Sequence, residues 1–319
     1  MRRHIYLMMT ALVITFLLSA CGGDETNSVD NDQQSADEQI NVVTSFTIIE
    51  DMVEQIGGDY VNVYNLVPTG TDPHEYEPLP EDIMEATDAD VLFLNGMNLE
   101  GGQEGWFYKM IDSVDQDLDN VYELNEGVEP KYLTDEDGEE EEINPHSFLD
   151  PHVGIVMAEN IRDALMEIDA DHAEDYKANA EEYLDRLQEI DAEYEEKIAA
   201  IPEDQRILVT SERAFQYMTD RYGLDEAYVW EIDTEELGTP EQIKTLVETL
   251  KDKQPPVLFL ESNVDERPLE TVSEESGIPI YEQEIYSDEI GEKGAEVDTY
   301  VKLLTHNIEI IHDGLKDES

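Results

Sequence analysis

The sequence is short of cysteine and holds only one, Cys21, in 319 residues. A single thiol cannot form an internal disulfide bond, so a disulfide-stapled scaffold is excluded. The rest of the chain also lacks a thiolate, the ligand that favours soft metal ions. Any metal site in the body of this protein must therefore use nitrogen and oxygen ligands.

Positive charge is scarce as well. Lysine and arginine together number 18 against 80 aspartates and glutamates, which gives a formal net charge of −62 at pH 7. A polyanionic surface repels phosphate, so nucleic acids and anionic lipid head groups are poor partners and we expect no nucleic acid. Acids lie along nearly every segment, a pattern typical of a surface adapted to concentrated salt, where screening weakens their mutual repulsion.

The N-terminal apolar run, Ile5–Leu18, is shorter than the roughly 20 residues that a membrane-spanning helix needs. Two arginines precede it, which is the arrangement of a secretion signal. The string "LSAC" that ends at Cys21 has the pattern at which bacterial lipoprotein signals are cut. We therefore predict a signal peptide at residues 1–20 and lipid attachment at Cys21.

A polar, acidic segment without apolar periodicity follows, and we predict residues 21–39 to be the lipidated cysteine and a flexible tether. The alternative is an uncleaved anchor in which Cys21 is incidental. We expect the protein to be held at the extracytoplasmic face of the cell membrane by its N-terminal lipid alone.

After the tether, short apolar runs alternate with segments of helical periodicity, as in "INVVTS" followed by "TIIEDMVEQIGG". This alternation is typical of a parallel sheet covered by helices. It is interrupted by "KYLTDEDGEEEEIN", which we interpret as an acidic loop from Lys131 to Asn144. It restarts beyond Pro202 with "ILVTS" and ends in a helix from about Glu296 to Leu315.

Between the two alternating regions, residues 171–202 predict one unbroken helix, because apolar positions step by three, four and seven. At 1.5 Å per residue such a helix is about 45 Å long. We therefore predict an α/β fold of two similar lobes, 40–170 and 203–319, each with a mainly parallel sheet flanked by helices. The long helix links them.

Four polar residues stand at places where an α/β fold binds ligands. His74, Glu212 and Asp288 follow predicted strands, and ligands collect at the carboxyl ends of parallel strands. His146 ends the acidic loop just before a helix. Two imidazoles and two carboxylates suit a borderline to hard divalent cation. Taken singly, a loop histidine is often solvated and an acid after a strand is often a surface or capping residue, so composition and spacing leave both interpretations open.

Six strings, in order, resemble the metal-binding lipoproteins of bacterial ABC importers for manganese, zinc and iron, the cluster A-I solute-binding proteins. They are "VPTGTDPHEYEPLPEDI", "NGMNLEGGQEGWF", "PHSFLDP", "VTSERAFQYMTDRYGL", "FLESNVDERPLETVSEESGIPIY" and "YSDEIGEKG". The resemblance covers essentially the whole chain after the tether. It implies a monomer with two lobes and a rigid linking helix, a metal held between the lobes, and delivery of that metal to an ABC permease.

The resemblance also implies the ligands. "DPH" gives His74, "NPHSFLDP" gives His146, "VTSERAF" gives Glu212 and "YSDEIG" gives Asp288. The proteins that resemble this chain frequently have aspartate and tryptophan where "NPHSF" stands, a departure that bears on the surroundings of the ligand and not on the ligand itself.

The cargo implied by the resemblance is Mn(II). Zinc importers of this kind generally have histidine where Glu212 stands, and a histidine-rich loop where this chain has none between Lys131 and Asn144. Zinc and iron stay open as alternatives, because intrinsic affinity rises from manganese to zinc in almost any such site.

Two other functions remain as alternatives from the residues. A secreted metallohydrolase could use the same four groups, but the chain lacks an HExxH motif and all four positions are used as ligands. We therefore predict that the protein is not an enzyme. A surface adhesin that keeps the fold is the second alternative.

Overall fold

The computed structural model describes residues 39–134, 140–232 and 238–316. The predicted signal peptide, Cys21 and all but the last residue of the tether lie outside these ranges. Residues Glu38–Ser319 form one compact unit. Within the described ranges, no helix has both the length and the apolar character needed to cross a membrane.

The N-terminal half contains a four-stranded sheet in which every pairing is parallel, with strand order β2-β1-β3-β4. The central strands are buried on both faces, as a helix-covered sheet requires. The elements are β1 (Ile40–Phe46), α1 (Thr47–Gly57), β2 (Val61–Val67), α2 (Pro80–Asp88), β3 (Val91–Leu94), α3 (Trp106–Ser113) and β4 (Val121–Glu123).

The two ends of the segment predicted as an acidic loop are instead paired strands, while residues 135–139 lie outside the described residues. Strand β5 (Tyr132–Thr134) pairs antiparallel with β6 (Glu140–Ile143). Leu133 is buried, and Thr134 donates to the carboxylate of Glu231 from both its backbone N–H and its hydroxyl. The prediction was wrong at these ends because the short strands are stabilised by contacts with distant residues, which a run of acids conceals.

Two helices join the halves. Helix α4 (Pro151–Ile168) begins at Asp150, whose carboxylate accepts from the backbone N–H of His152 at 3.0 Å. Helix α5 (Ala173–Ala200) has 28 residues, and no described residue within it breaks the helix. Every apolar position that predicted its buried face is buried, a result that confirms the periodicity; these positions are Tyr176, Ala180, Tyr183, Leu187, Ile190, Tyr194 and Ile198.

The C-terminal half repeats the alternation of strands and helices. Its elements are β7 (Ile207–Glu212), α6 (Gln216–Tyr222), β8 (Asp225–Trp230), α7 (Pro240–Lys253), α8 (Glu266–Ser276) and α9 (Tyr300–Leu315). Strands β7 and β8 pair in parallel, and a smaller apolar core packs beneath them. The α/β fold with parallel sheets, flanking helices and one long helix is confirmed, while the exact lobe boundaries stay a prediction.

Two strands predicted in this half occur as isolated parallel bridges, Leu258 with Ile280 and Glu261 with Ile285. The backbone N–H of Phe259 donates to Val209 O at 2.8 Å, so these segments extend the sheet beyond β7. Pro279 has no N–H to donate, and residues 282–283 bend away from the ladder. These two features explain why regular strands do not form.

Helices α4 and α9 approach closely at Gly154. A Cβ atom on Gly154 would lie 2.4 Å from the hydroxyl oxygen of Tyr300. Tyr300 is fully buried, and its hydroxyl donates to Phe148 O. The ring therefore has no room to move away.

We expect Gly154→Ala to lower the free energy of unfolding. Overpacking costs about 1–3 kcal/mol and outweighs the roughly 1 kcal/mol that alanine gains in helix propensity. Urea denaturation measures the loss, and the Tyr300→Phe background is the control because it removes the closest atom. The cost of Gly154→Ala should be smaller in that background; an equal cost in both would contradict this packing.

Candidate metal centre

The four residues singled out in the sequence lie in four separate loops or strand ends. His74 lies between β2 and α2, and His146 begins a short turn after β6. Glu212 is the last residue of β7, which extends one residue further than the predicted strand that ended at Ser211. Asp288 follows the bridge at Ile285. Each half contributes two of these residues.

The structure brings His74, His146 and Asp288 together, and Glu212 lies next to His146. Nε2 of His146 lies 3.2 Å from Oδ1 of Asp288 and 3.8 Å from Oε1 of Glu212. The imidazole rings of His74 and His146 are 5.2 Å apart and inclined at 64°. One potential ligand atom from each of His74, His146 and Asp288 lies within 4.8 Å of the other two. Glu212 joins this group through its approach to His146.

Several of these atoms are buried without a partner. Nε2 of His74, Nε2 of His146 and Oδ1 of Asp288 are shielded from solvent and make no hydrogen bond with any part of the chain that the structure describes. The 3.2 Å contact between His146 and Asp288 therefore lacks hydrogen-bond geometry. Leaving a buried polar atom unsatisfied costs about 1–3 kcal/mol. A cation at their centre would satisfy all three.

The protonation of the site suits a cation. Burial lowers the pKa of His74, assisted by the neighbouring His146, and so favours the neutral imidazole that binds metals. Burial alone would raise the pKa of Asp288, but the imidazoles of His146 and His74 and a hydrogen bond from Asn263 hold it below its usual range. Asp288 is therefore ionised.

Supporting contacts fix these side chains, and the sequence did not reveal them. Asn263 Nδ2 donates to Asp288 Oδ2 at 2.8 Å, which leaves Oδ1 for the centre of the site. The indole N–H of Trp106 donates to Pro73 O at 2.9 Å, next to His74. Asn263 and Trp106 both lie in strings that carry the resemblance, "ESNVDERP" and "GWF". Their place in these strings was the sequence signal that could have identified them.

The loops that carry His74 and Asp288 are fastened to each other. The hydroxyl of Thr69 donates to Ile290 O at 3.0 Å, and the backbone N–H of Gly70 donates to a carboxylate oxygen of Glu289. The backbone N–H of Ile290 donates to the hydroxyl of Thr47 at 3.2 Å. These three hydrogen bonds, which we call the loop clasp, join the two halves beside the site.

Two buried carboxylates support the strand ends near the site, one in each half. Glu261 accepts from the backbone N–H of Glu212 at 2.8 Å and from that of Ser211 at 3.0 Å. Glu100 accepts from the backbone N–H of Asn95 at 2.7 Å, and also from Gly96 and Ser45. Burial raises the pKa of Glu100 and of Glu261 to about 7.

Two imidazoles and two carboxylates contributed by both halves of an α/β protein form a set suited to a borderline or hard divalent cation. The family model "Zinc-uptake complex component A periplasmic" matches residues 42–314. The chain belongs to this family, whose members are solute-binding components of metal uptake systems and not enzymes. The prediction that the protein is not an enzyme is therefore confirmed.

Curated relatives are similar over nearly the whole chain. The iron ABC transporter substrate-binding lipoprotein MtsA of Streptococcus pyogenes serotype M1 is 41% identical over 318 residues, 99% of each chain. The manganese ABC transporter substrate-binding lipoprotein PsaA of Streptococcus pneumoniae is 40% identical over 309 residues, 97% of each chain. The resemblance found in the sequence is confirmed.

A solved structure supports the fold. The periplasmic zinc binding protein TroA of Treponema pallidum superposes with a TM-score of 0.78 at 24% identity, and the match covers 88% of this chain and all of that one. At this level of identity the likeness concerns the fold alone.

We expect Glu100 to make stability depend on pH. Its pKa rises from the usual glutamate value of 4.5, which applies to the unfolded chain, to about 7 in the folded protein. Between these values the folded state holds a proton that the unfolded state has lost, so the stabilisation present below about pH 4.5 disappears as pH rises through 7.

Urea denaturation of the metal-free protein between pH 5 and 7 measures this effect. The free energy of unfolding should fall more steeply for the wild type than for Glu100→Gln, by at most about 1.4 kcal/mol per pH unit. Glu104→Gln, at an exposed neighbouring position, should keep the wild-type slope. Equal slopes for wild type and Glu100→Gln would contradict the prediction.

Proposed function

We propose that this protein captures Mn(II) outside the cytoplasm and delivers it to the permease of an ABC importer. Lipid attached at Cys21 holds it to the membrane, residues 21–39 form the tether, and the folded body acts as a monomer. Lobes 40–170 and 203–319 enclose the ion, and the helix at 171–202 keeps them in register. Family membership and the lipoprotein names of the relatives support this proposal.

The observation that carries the proposal is the convergence of buried, unpartnered ligand atoms from both halves of the chain. His74, His146 and Asp288 present atoms within 4.8 Å of one another, and Glu212 approaches His146 at 3.8 Å. The charge of two carboxylates balances that of a divalent cation. Binding of the cation therefore offsets the repulsion between the two carboxylates, which burial strengthens. Neutral imidazoles add ligands without adding charge.

The ligand types favour manganese as the cargo. Glu212 and Asp288 are hard oxygen ligands, and a bidentate carboxylate raises the coordination number above the four that zinc prefers. The sequence between Lys131 and Asn144 has no histidine to gather zinc. Because intrinsic affinity rises from manganese to zinc, the proposal concerns the ion that is transported and not the ion that binds tightest.

Iron and zinc are the alternatives that an experiment must separate from manganese. The name of MtsA specifies iron, that of PsaA manganese, and that of TroA zinc. All three ions accept imidazole and carboxylate ligands. The alternatives therefore differ in geometry and release, and not in the identity of the four residues.

We expect Mn(II) to raise the melting temperature of the protein. At a hundredfold excess over the dissociation constant, the stabilisation is about 2.7 kcal/mol. Calorimetry should also detect binding, and His146→Ala should abolish both effects because it removes a ligand from the centre. His152→Ala is the matched control, since its side chain is exposed on α4.

Metal analysis of protein purified without chelator and competition among Mn(II), Fe(II) and Zn(II) show which ions bind, and growth of a deletion strain on limiting manganese, iron or zinc identifies the cargo. Mn(II) in the purified protein together with manganese-limited growth of a deletion strain would support the proposal. Growth of the deletion strain that is limited by zinc or iron, and not by manganese, would transfer the same site to that ion. Absence of binding for all three ions would contradict the function as a whole.

A further inference from the structure

Asn144 connects the site to the opposite half of the protein. It is fully buried between β6 and His146. Its Oδ1 accepts from the backbone N–H of His146 at 3.0 Å and lies 2.8 Å from Nδ1 of the same residue. Its Nδ2 donates to Arg213 O at 2.9 Å and to Gln216 Oε1 at 3.1 Å.

These partners fix the orientation of the amide group of Asn144. The carbonyl of Arg213 can only accept a hydrogen bond, so the nitrogen of the amide must face it. The backbone N–H of His146 can only donate, so the oxygen must face that side. Two independent groups thus give the same orientation.

The orientation of the amide in turn determines the tautomer of His146. Because Oδ1 of Asn144 only accepts, Nδ1 of His146 must carry the proton. The lone pair of the neutral ring then lies on Nε2, the atom that faces Asp288 at 3.2 Å and Glu212 at 3.8 Å. The ring is held in the form that can bind a cation.

Asn144 also joins His146 to the strand end that carries Glu212. Arg213, whose carbonyl accepts from Asn144, is the residue directly after Glu212. The backbone carbonyl of Asn144 accepts from the hydroxyl of Tyr217 at 2.9 Å, a further contact with the C-terminal half. One side chain therefore sets the positions of two predicted ligands relative to each other.

We propose that Asn144 is a positioning residue that holds His146 in its Nδ1–H tautomer and couples it to Glu212 across the two halves. This inference rests on the proposed function, because it assigns Asn144 a role in binding the cargo. An aspartate at this position would still accept from His146. It could not donate to Arg213 O, and its second oxygen would face Gln216 Oε1, so the coupling needs an amide.

The tautomer can be read in the metal-free protein by two-bond ¹H–¹⁵N correlation NMR of the histidine side chains. The wild type should give the Nδ1–H pattern for His146, and so should Asn144→Asp, which keeps the acceptor. Asn144→Ala should lose that pattern. Asn160→Ala is the matched control: its amide also donates two hydrogen bonds, in this case to the backbone carbonyls of Leu124 and Glu126.

Metal binding tests both parts of the proposal, with Mn(II) as the probe. Asn144→Ala should weaken affinity by about 10–100-fold, the usual effect of removing a residue that orients a ligand. Asn144→Asp should bind more tightly than Asn144→Ala yet release Mn(II) to a chelator faster than the wild type, because the coupling is lost. Asn160→Ala should match the wild type in both measurements.

An Nε2–H pattern for His146 in the wild type would overturn the proposal, as would an Asn144→Ala affinity within about twofold of the wild type. Release from Asn144→Asp at the wild-type rate would overturn the coupling. If Asn144→Ala does not fold, the wild-type and Asn144→Asp spectra decide the tautomer. Failure of the wild type to bind Mn(II), Fe(II) or Zn(II) would instead contradict the proposed function, whatever the NMR spectra show.

Discussion

The site depends on polar atoms that are buried and make no hydrogen bond with the part of the chain that the structure describes. Nε2 of His74, Nε2 of His146 and Oδ1 of Asp288 converge in a region that solvent does not reach. Each such atom costs free energy in the folded state, and the surrounding protein must be stable enough to tolerate that cost. Under the proposed function, an ion bound by these atoms would recover that cost, and the recovered free energy would contribute to its affinity.

The scaffold stabilises the site by holding the backbone of the strand ends in place, and the side chains of the site are attached to that backbone. Glu100 and Glu261 each bind consecutive backbone N–H groups at the end of a strand, one in each half. Helix α5 packs an unbroken apolar face between the halves. Ligand residues attached to such a frame lose little conformational freedom when an ion binds, because their freedom was already lost on folding.

The sequence predicted those features that depend on local pattern. The buried face of α5 followed from spacing, and the proximity of His74, His146 and Asp288 followed from strand ends together with resemblance, while their role as ligands stays a prediction. It failed where long-range contacts decide the outcome: β5 and β6 are stabilised by partners such as Glu231, and the segments near Leu258 and Ile280 form only single bridges. The roles of Asn263 and Trp106 were hidden for the same reason, since hydrogen bonds between distant loops leave no periodic trace.

The loop clasp has a consequence for the lifetime of the loaded protein. Thr69, Gly70 and Thr47 in one half are bonded to Glu289 and Ile290 in the other, beside the loops that hold His74 and Asp288. These hydrogen bonds hold the two loops together, and any separation of His74 from Asp288 that moves both loops must break them. Under the proposed function, a permease that separates the two loops would move the proposed ligands of the two halves apart, and release would not require a competing ligand.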